Sequence, residues 1–210
     1  MHHILKLIAE GEHQQLDFKY AITDMRKIAK TLSAFANTDG GRLLIGVKDN
    51  GRIKGCRMQE EKHMIEFAAD EYCFPKLDID YAEWQIEGKN VLEIIVSEGK
   101  NKPYFAIDID KNKTAYSRIR DEVVPMHSVL FKALKSTKKK KSKTFKFTET
   151  EKKILSYINE NHELELEDII SISGVSKFKT EWILADLINF ELLKIDFINN
   201  KWIFNSTEIQ

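Results

Sequence analysis

The hydrophobic positions of the chain change period several times, and each change marks an element. Ile4, Leu5 and Ile8 recur at helical spacing in ILKLIAE (residues 4 to 10), and Gly11 stops the turn. GEHQQLDFKYA (11 to 21) then beats at Leu16, Phe18 and Tyr20, the period of a short strand. From Thr23 to Asn37 the apolar residues Met25, Ile28, Leu32, Phe35 and Ala36 fall three and four apart, which predicts a helix. It ends in NTDGG. RLLIGV (42 to 47) is apolar without alternation, as in a strand covered on both faces. KDNG reads as a turn and RIKGC as a second strand, so residues 42 to 56 are expected to form a hairpin. A helix is predicted over 58 to 73. DIDYAEWQI and NVLEIIVSE follow as strands around EGK, and YFAI and AYSRIR as a hairpin around DKNKT. Residues 121 to 134 are expected to close the domain as a helix. The result is a mixed α/β or α+β domain over residues 1 to 134.

The last third has a different rhythm. TETEKKILSYINE (148 to 160) opens with Thr148 and Glu151 at capping-box spacing and carries Ile154, Leu155 and Ile158 on one face. A short helix is expected over 165 to 172. After the SGVS turn a third runs from Lys177 to Phe190, with Trp182, Ile183, Leu187 and Phe190. LLKIDFINNKWIF reads as two strands around Asn199 and Asn200. Three helices and a hairpin are the winged-helix pattern, expected over residues 148 to 210.

Charge sharpens this division. The chain has 210 residues and no formal net charge, so the total names no partner. Residues 1 to 134 hold 20 Lys+Arg against 21 Asp+Glu, and residues 148 to 210 hold six against 12. Between them, residues 135 to 147 hold seven lysines and no acid. Like charges repel, so this segment reads as an extended linker. Its lysines, Lys138, Lys139, Lys140 and Lys141 among them, either solubilise the tether or contact nucleic-acid phosphates. The two cysteines, Cys56 and Cys73, lack CxxC spacing and read as reduced thiols of a cytoplasmic protein. No apolar run is long enough to span a membrane.

Several polar residues are candidates for chemistry. Asp17 and Lys19 share one face of a regular strand, and Glu12 reaches the same side if the chain turns between Glu12 and Gln14. These residues are either a solvated edge or half of a site. In the NTDGG loop, Gly40 and Gly41 make either a tight connection or an anion contact, with Asn37 and Thr38 adding short polar side chains. The loop lacks the Gly-Lys-Ser/Thr ending of a Walker motif. Asp49 follows the next strand, toward the edge that carries Asp17. Arg118 and Arg120 flank Ile119 and would share a face, as a phosphate-binding pair or a solvated edge, with Tyr116 able to stack on a base. His63 and His127 stand alone. In the C-terminal segment Lys177, Lys179 and Thr180 lie where a recognition helix meets DNA, and Lys201 lies in the wing. The acidic balance of that segment opposes DNA contact, and dimerisation or protein contact is the alternative.

The ordered set GE-x4-DFK, then SAFANTDGG-x-LLIGVKDNG-x-IKG, resembles the Schlafen/AlbA-type domain, and KPY and AYSRIRDEVVP resemble its end. The resemblance covers about residues 4 to 130. It implies an α+β fold and nucleic-acid binding, DNA before RNA, and points to a DNA-binding transcription regulator. A homo-oligomeric state is left open. The nuclease branch of the Schlafens places three acids at matching points, which here are Glu12, Asp17 and Asp49, with a lysine at Lys19. Such a triad would hold Mg²⁺ or Mn²⁺ for phosphodiester cleavage, the alternative function that the resemblance implies. Asp17 departs from the pattern, standing where the family usually has the longer glutamate.

Overall fold

A computed structural model describes residues 2–137 and 147–207. The chain divides into two compact units, Met1–Met126 and His127–Gln210. The linker lysines Lys138, Lys139, Lys140 and Lys141 lie outside the described residues.

The first unit opens with α1 (His3–Glu10), whose first turn is capped by the His2 imidazole accepting from Ile4 N–H, and continues into β1 (Leu16–Lys19). Asp24 caps α2 (Met25–Asn37) by accepting from Arg26 and Lys27 N–H. After β2 (Gly41–Ile45) and α3 (Met58–Glu71) come β3 (Cys73–Phe74), β4 (Asp80–Ile86), β5 (Lys89–Val96), β6 (Phe105–Ile107), β7 (Lys113–Ile119) and β8 (Glu122–Pro125). One sheet has the order β1-β2-β5-β4, with β1 parallel to β2 and the other pairs antiparallel. The other has the order β3-β6-β7-β8 and is antiparallel throughout.

The uninterrupted apolar run of β2 is explained by its place inside the first sheet. Leu43 and Ile45 enter a core shared with Ile28, Leu32 and Phe35 of α2 and Ile65 of α3, while Leu44 packs with Ile4 and Phe18 in a second core on the other face. The expected hairpin over 42 to 56 is reduced to its turn end. Both edges of β2 itself are taken, by β1 and β5, and beyond it Val47 bridges Ile53 while Lys48 N–H donates to Arg52 O at 3.1 Å and Lys54 N–H to Gly46 O at 2.8 Å. Residues 46 to 57 are therefore largely an exposed connection to α3. The hairpins around EGK and DKNKT are present as β4–β5 and β6–β7.

The helix expected over 121 to 134 is displaced. Residues 122 to 125 pair with β7 as β8, and the helix begins later as α4 (Ser128–Thr137). Its apolar residues Val129 and Ala133 enter the core of the second unit, so the division falls at Met126 rather than after residue 134.

The second unit continues with α5 (Glu149–Glu160), α6 (Leu166–Ser173), α7 (Lys177–Asn189), β9 (Leu193–Ile198) and β10 (Lys201–Ser206). The Thr148/Glu151 capping box forms, with Thr148 N–H donating to Glu151 at 2.9 Å. Ile154, Ile158, Ile169, Leu184, Leu187 and Phe204 build a separate core. Asn199 and Asn200 turn β9 into β10 with φ of 51° and 62°, the pair of left-handed residues that a tight hairpin turn needs. Among the described residues no helix is long and apolar enough to cross a membrane.

Candidate nucleic-acid interface

β1 brings Glu12, Asp17 and Lys19 together, as the strand pattern suggested, but not on a solvated edge. Asp17 is 5% exposed. Its Oδ1 accepts from the Arg118 guanidinium at 3.2 Å, and its Oδ2 pairs with Lys19 Nζ at 2.9 Å. Arg118 is itself 1% exposed, the largest fully buried side chain of the described residues. It also donates to the carbonyls of His13 and Leu16, and its guanidinium lies 4.8 Å from the centroid of the Phe35 ring. A cation on β7 thus holds the backbone of β1 and satisfies its carboxylate. Neither a phosphate-binding pair nor a solvated edge describes how Arg118 stands in this structure: it is buried, with its donors turned to groups inside the protein. Nor do Arg118 and Arg120 share a strand face: β7 ends at Ile119, and Arg120 turns the chain with a φ of 57°.

Glu12 stands beside Asp17, with Phe18 N–H donating to its Oε1 at 2.8 Å. Burial raises its pKa and the Asp17 charge adds to this, while the Phe18 N–H and Lys19 oppose the rise. Asp49 is exposed on the connection after β2. Among the described residues no three His, Cys, Asp or Glu side chains are grouped to hold a metal ion. Glu12, Asp17 and Asp49 are therefore not gathered here as the expected Mg²⁺ or Mn²⁺ site would need. Arg118 and Lys19 already supply positive charge to both oxygens of Asp17, and Asp49 is not gathered with the other two.

The NTDGG loop is likewise turned inward. Asn37 is buried; its amide donates to the carbonyls of Tyr104 and Tyr116 at 2.8 and 2.9 Å and accepts from Tyr104 N–H at 2.7 Å. Thr38 returns its hydroxyl to Ala34 O and ends α2. Gly40 has a φ of 72°, and a Cβ there would stand 2.7 Å from Val96 O; one on Gly41 would stand 2.2 Å from the Phe35 ring. These four residues close α2 against the sheets, the arrangement of a tight connection. In the second unit Thr180 is fully buried, bonded to Ser173 and Ser176, and offers nothing to a groove. Lys177 pairs with Glu167 at 3.5 Å and Lys201 with Glu165. Lys179 is exposed beside them.

The exposed cations of the first unit gather elsewhere. The connection from β2 to α3, KDNGRIKGCR, carries Lys48, Arg52, Lys54 and Arg57, and the β4–β5 turn brings up Lys89. Lys48, Arg52, Lys54 and Lys89 line one recess; Lys48 and Lys54 line a second with Tyr20 and Asp49. Lys54 and Lys89 also line a larger cleft of about 730 Å³ with Tyr20, Cys56, Arg57 and Glu61. Among the described residues Lys48, Arg52 and Lys54 have no carboxylate partner, whereas Arg57 pairs with Glu60. Tyr20 is 53% exposed. The candidates from the sequence omitted this group. Part of its signal was local, four bases in ten residues; that Tyr20 stands beside them was set by the fold.

A two-sheet α+β unit with a cation-rich recess beside an exposed aromatic defines the first half of the molecule. The model of the family "Schlafen, AlbA_2" matches residues 12–127, more than half of the chain, and the chain belongs to that family. Two solved structures are similar in part. The N-terminal domain of a RecG-related protein from Nitrosomonas europaea is 26% identical, with a TM-score of 0.45 over 57% of this chain and 90% of that one. A Corynebacterium diphtheriae protein is 17% identical, with a TM-score of 0.44 over 90% of this chain and 34% of that one.

Proposed function

We propose that the chain is a nucleic-acid-binding protein whose first unit meets phosphates through Lys48, Arg52, Lys54 and Lys89, and that it acts in the cytoplasm as a DNA-binding transcription regulator. The observation that carries this reading is the exposure of these cations around connected recesses, three of them free of acidic partners among the described residues. Membership in the Schlafen, AlbA_2 family supports it. Lysine and arginine displace the counterions condensed on a polyphosphate, so affinity should fall steeply with salt. The triple variant Lys48→Ala/Arg52→Ala/Lys54→Ala should weaken binding across sequences. On duplex DNA it should also reduce the slope of log affinity against log salt by about 0.9 for each phosphate that is no longer neutralised. Electrophoretic shifts or anisotropy over a salt series measure both. An unchanged slope would place the interface elsewhere.

The second unit, read as a winged helix, is better suited to protein contact or dimerisation than to a groove. Phe178, at the start of α7, is 67% exposed, while Lys177 and Lys201 are tied to acids. Deleting residues 148 to 210 should lower the solution mass from dimer to monomer while retaining nucleic-acid affinity. Loss of affinity with unchanged oligomeric state would reverse the assignment.

A further inference from the structure

The larger cleft holds a group that phosphate binding does not use. Glu61, in the first turn of α3, is 7% exposed at the cleft wall. Its Oε2 accepts from Ile22 N–H at 2.9 Å, and Oε1 has no partner among the described residues. That oxygen is not among the fully buried polar atoms left without a partner, so it opens to the cleft and can accept from a ligand there. Burial raises the Glu61 pKa, the Ile22 N–H opposing this and Glu60 adding to it. The same cleft presents Tyr20, half exposed, and the exposed ammonium groups of Lys54 and Lys89. Aromatic face, acceptor and cations are the three groups that an unpaired nucleotide meets when a protein reads it: a stacking surface, a partner for the base edge and a counter-charge for the phosphate.

We infer that this cleft takes a single unpaired base of a nucleic-acid strand and that Glu61 selects guanine. The inference rests on the nucleic-acid reading above. Guanine presents N1–H and the 2-amino group side by side, two parallel donors that one carboxylate accepts together. Adenine and cytosine set their amino group beside an acceptor nitrogen, which repels the second oxygen. Uracil and thymine flank their single N–H with carbonyls. Tyr20 stacks on the selected base, and Lys54 and Lys89 hold the adjoining phosphates.

The test is fluorescence anisotropy with labelled uridine oligomers carrying one internal guanosine, adenosine, cytidine or inosine, and a parallel thymidine series in DNA. The full chain should prefer guanine by about tenfold, the range that a bidentate side chain–base pairing supplies. Inosine, lacking the 2-amino group, should lose most of that preference. Glu61→Gln keeps an acceptor for Ile22 N–H, and its folding is checked by its urea midpoint. It should erase the discrimination between guanine and adenine. Tyr20→Ala should weaken binding to every oligomer by about fivefold or more, as removal of one stacking aromatic does. Preference in either series supports the site. Equal affinity for all bases in both series, or a guanine preference that survives Glu61→Gln, overturns it and leaves the phosphate-binding reading intact. No binding to any oligomer at low salt also overturns it, and the duplex salt series then decides the phosphate-binding reading separately.

Discussion

The candidate cations of the two units differ in how neighbours compensate them. In the second unit Lys132, Lys177 and Lys201 each face a glutamate: Glu181, Glu167 and Glu165. In the first, Arg118 is buried on Asp17 while Lys48, Arg52 and Lys54 stand exposed around recesses with no acidic partner among the described residues. Residues 1 to 134 are close to neutral and yet carry a cation-lined recess. A local field depends on which charges are already compensated by neighbours, and net charge does not report that.

The largest expected effect concerns the buried cation. Arg118→Ala leaves Asp17 without its buried partner and removes donors from two carbonyls, at about 3–5 kcal/mol. The loss should be confined to the first unit. Trp84 lies in that unit, and Trp182 and Trp202 in the second. Urea melts of Trp182→Phe/Trp202→Phe and Trp84→Phe backgrounds would therefore resolve the two transitions. Equal loss in both would show that the units do not stabilise independently. A double change of Arg118 and Asp17 to apolar residues of similar volume should recover most of the loss, since it removes the uncompensated charge.

Cation removal gives the next contrast. The Lys48/Arg52/Lys54 variant should reduce nucleic-acid affinity at about 0.1 M salt by tenfold or more. Lys177→Ala/Lys201→Ala should change it by less than about threefold, because those ammonium groups already neutralise glutamates. The reverse order would return the interface to the second unit.

Acidification should also separate the units. His127 packs on Trp202 and Phe204, and burial lowers its pKa below 6.5, with nearby acids opposing. A base depressed in the folded state gives full stability above its unfolded pKa and loses it as pH falls below about 6.5. In the first unit, burial raises the pKa of both Glu12 and Glu61 above 4.5. An acid raised on folding adds stability as pH falls through its folded pKa. Glu93 has the other sign. Against the upward push of burial, hydrogen bonds from His3, Trp84 and Arg42 hold its pKa below 4.5, so its contribution is present above 4.5 and lost as pH falls through the lower folded value. Between about pH 7 and pH 5 the second unit should therefore lose stability before the first, by urea midpoint in the two tryptophan backgrounds.

The smallest effect belongs to Asp49. It is exposed and lines a recess with Lys48 and Lys54. Asp49→Ala should alter stability by no more than about 0.5 kcal/mol and raise nucleic-acid affinity slightly by removing a repulsive charge. A large loss of binding or of any nuclease activity would restore Asp49 to a catalytic role.

Much was legible in the one-dimensional pattern. The β2 run, the α2 periodicity, the Thr148/Glu151 box and the Asn199–Asn200 turn depend on neighbours a few residues away, and each appeared where expected. The 42–56 hairpin is short because the two edges of β2 are taken by β1 and by β5, the latter across some fifty residues, a pairing no local signal specifies. The candidate site divided on the same ground. Glu12, Asp17 and Lys19 are close because they lie close in the chain. Residue type alone did not say that Arg118, 101 positions away, would arrive to compensate Asp17.

The sequence by itself determined the local elements, the segregation of charge and the family signature, since each is carried by residue types at short spacing. Tertiary structure decided which polar groups remain available. Asn37, Arg118 and Thr180 were drawn inward because a buried donor or acceptor must find a partner, and the partners lay on elements brought near only by folding. Lys48, Arg52 and Lys54 stayed outside because their connection crosses the surface, and among the described residues none of them forms an ion pair.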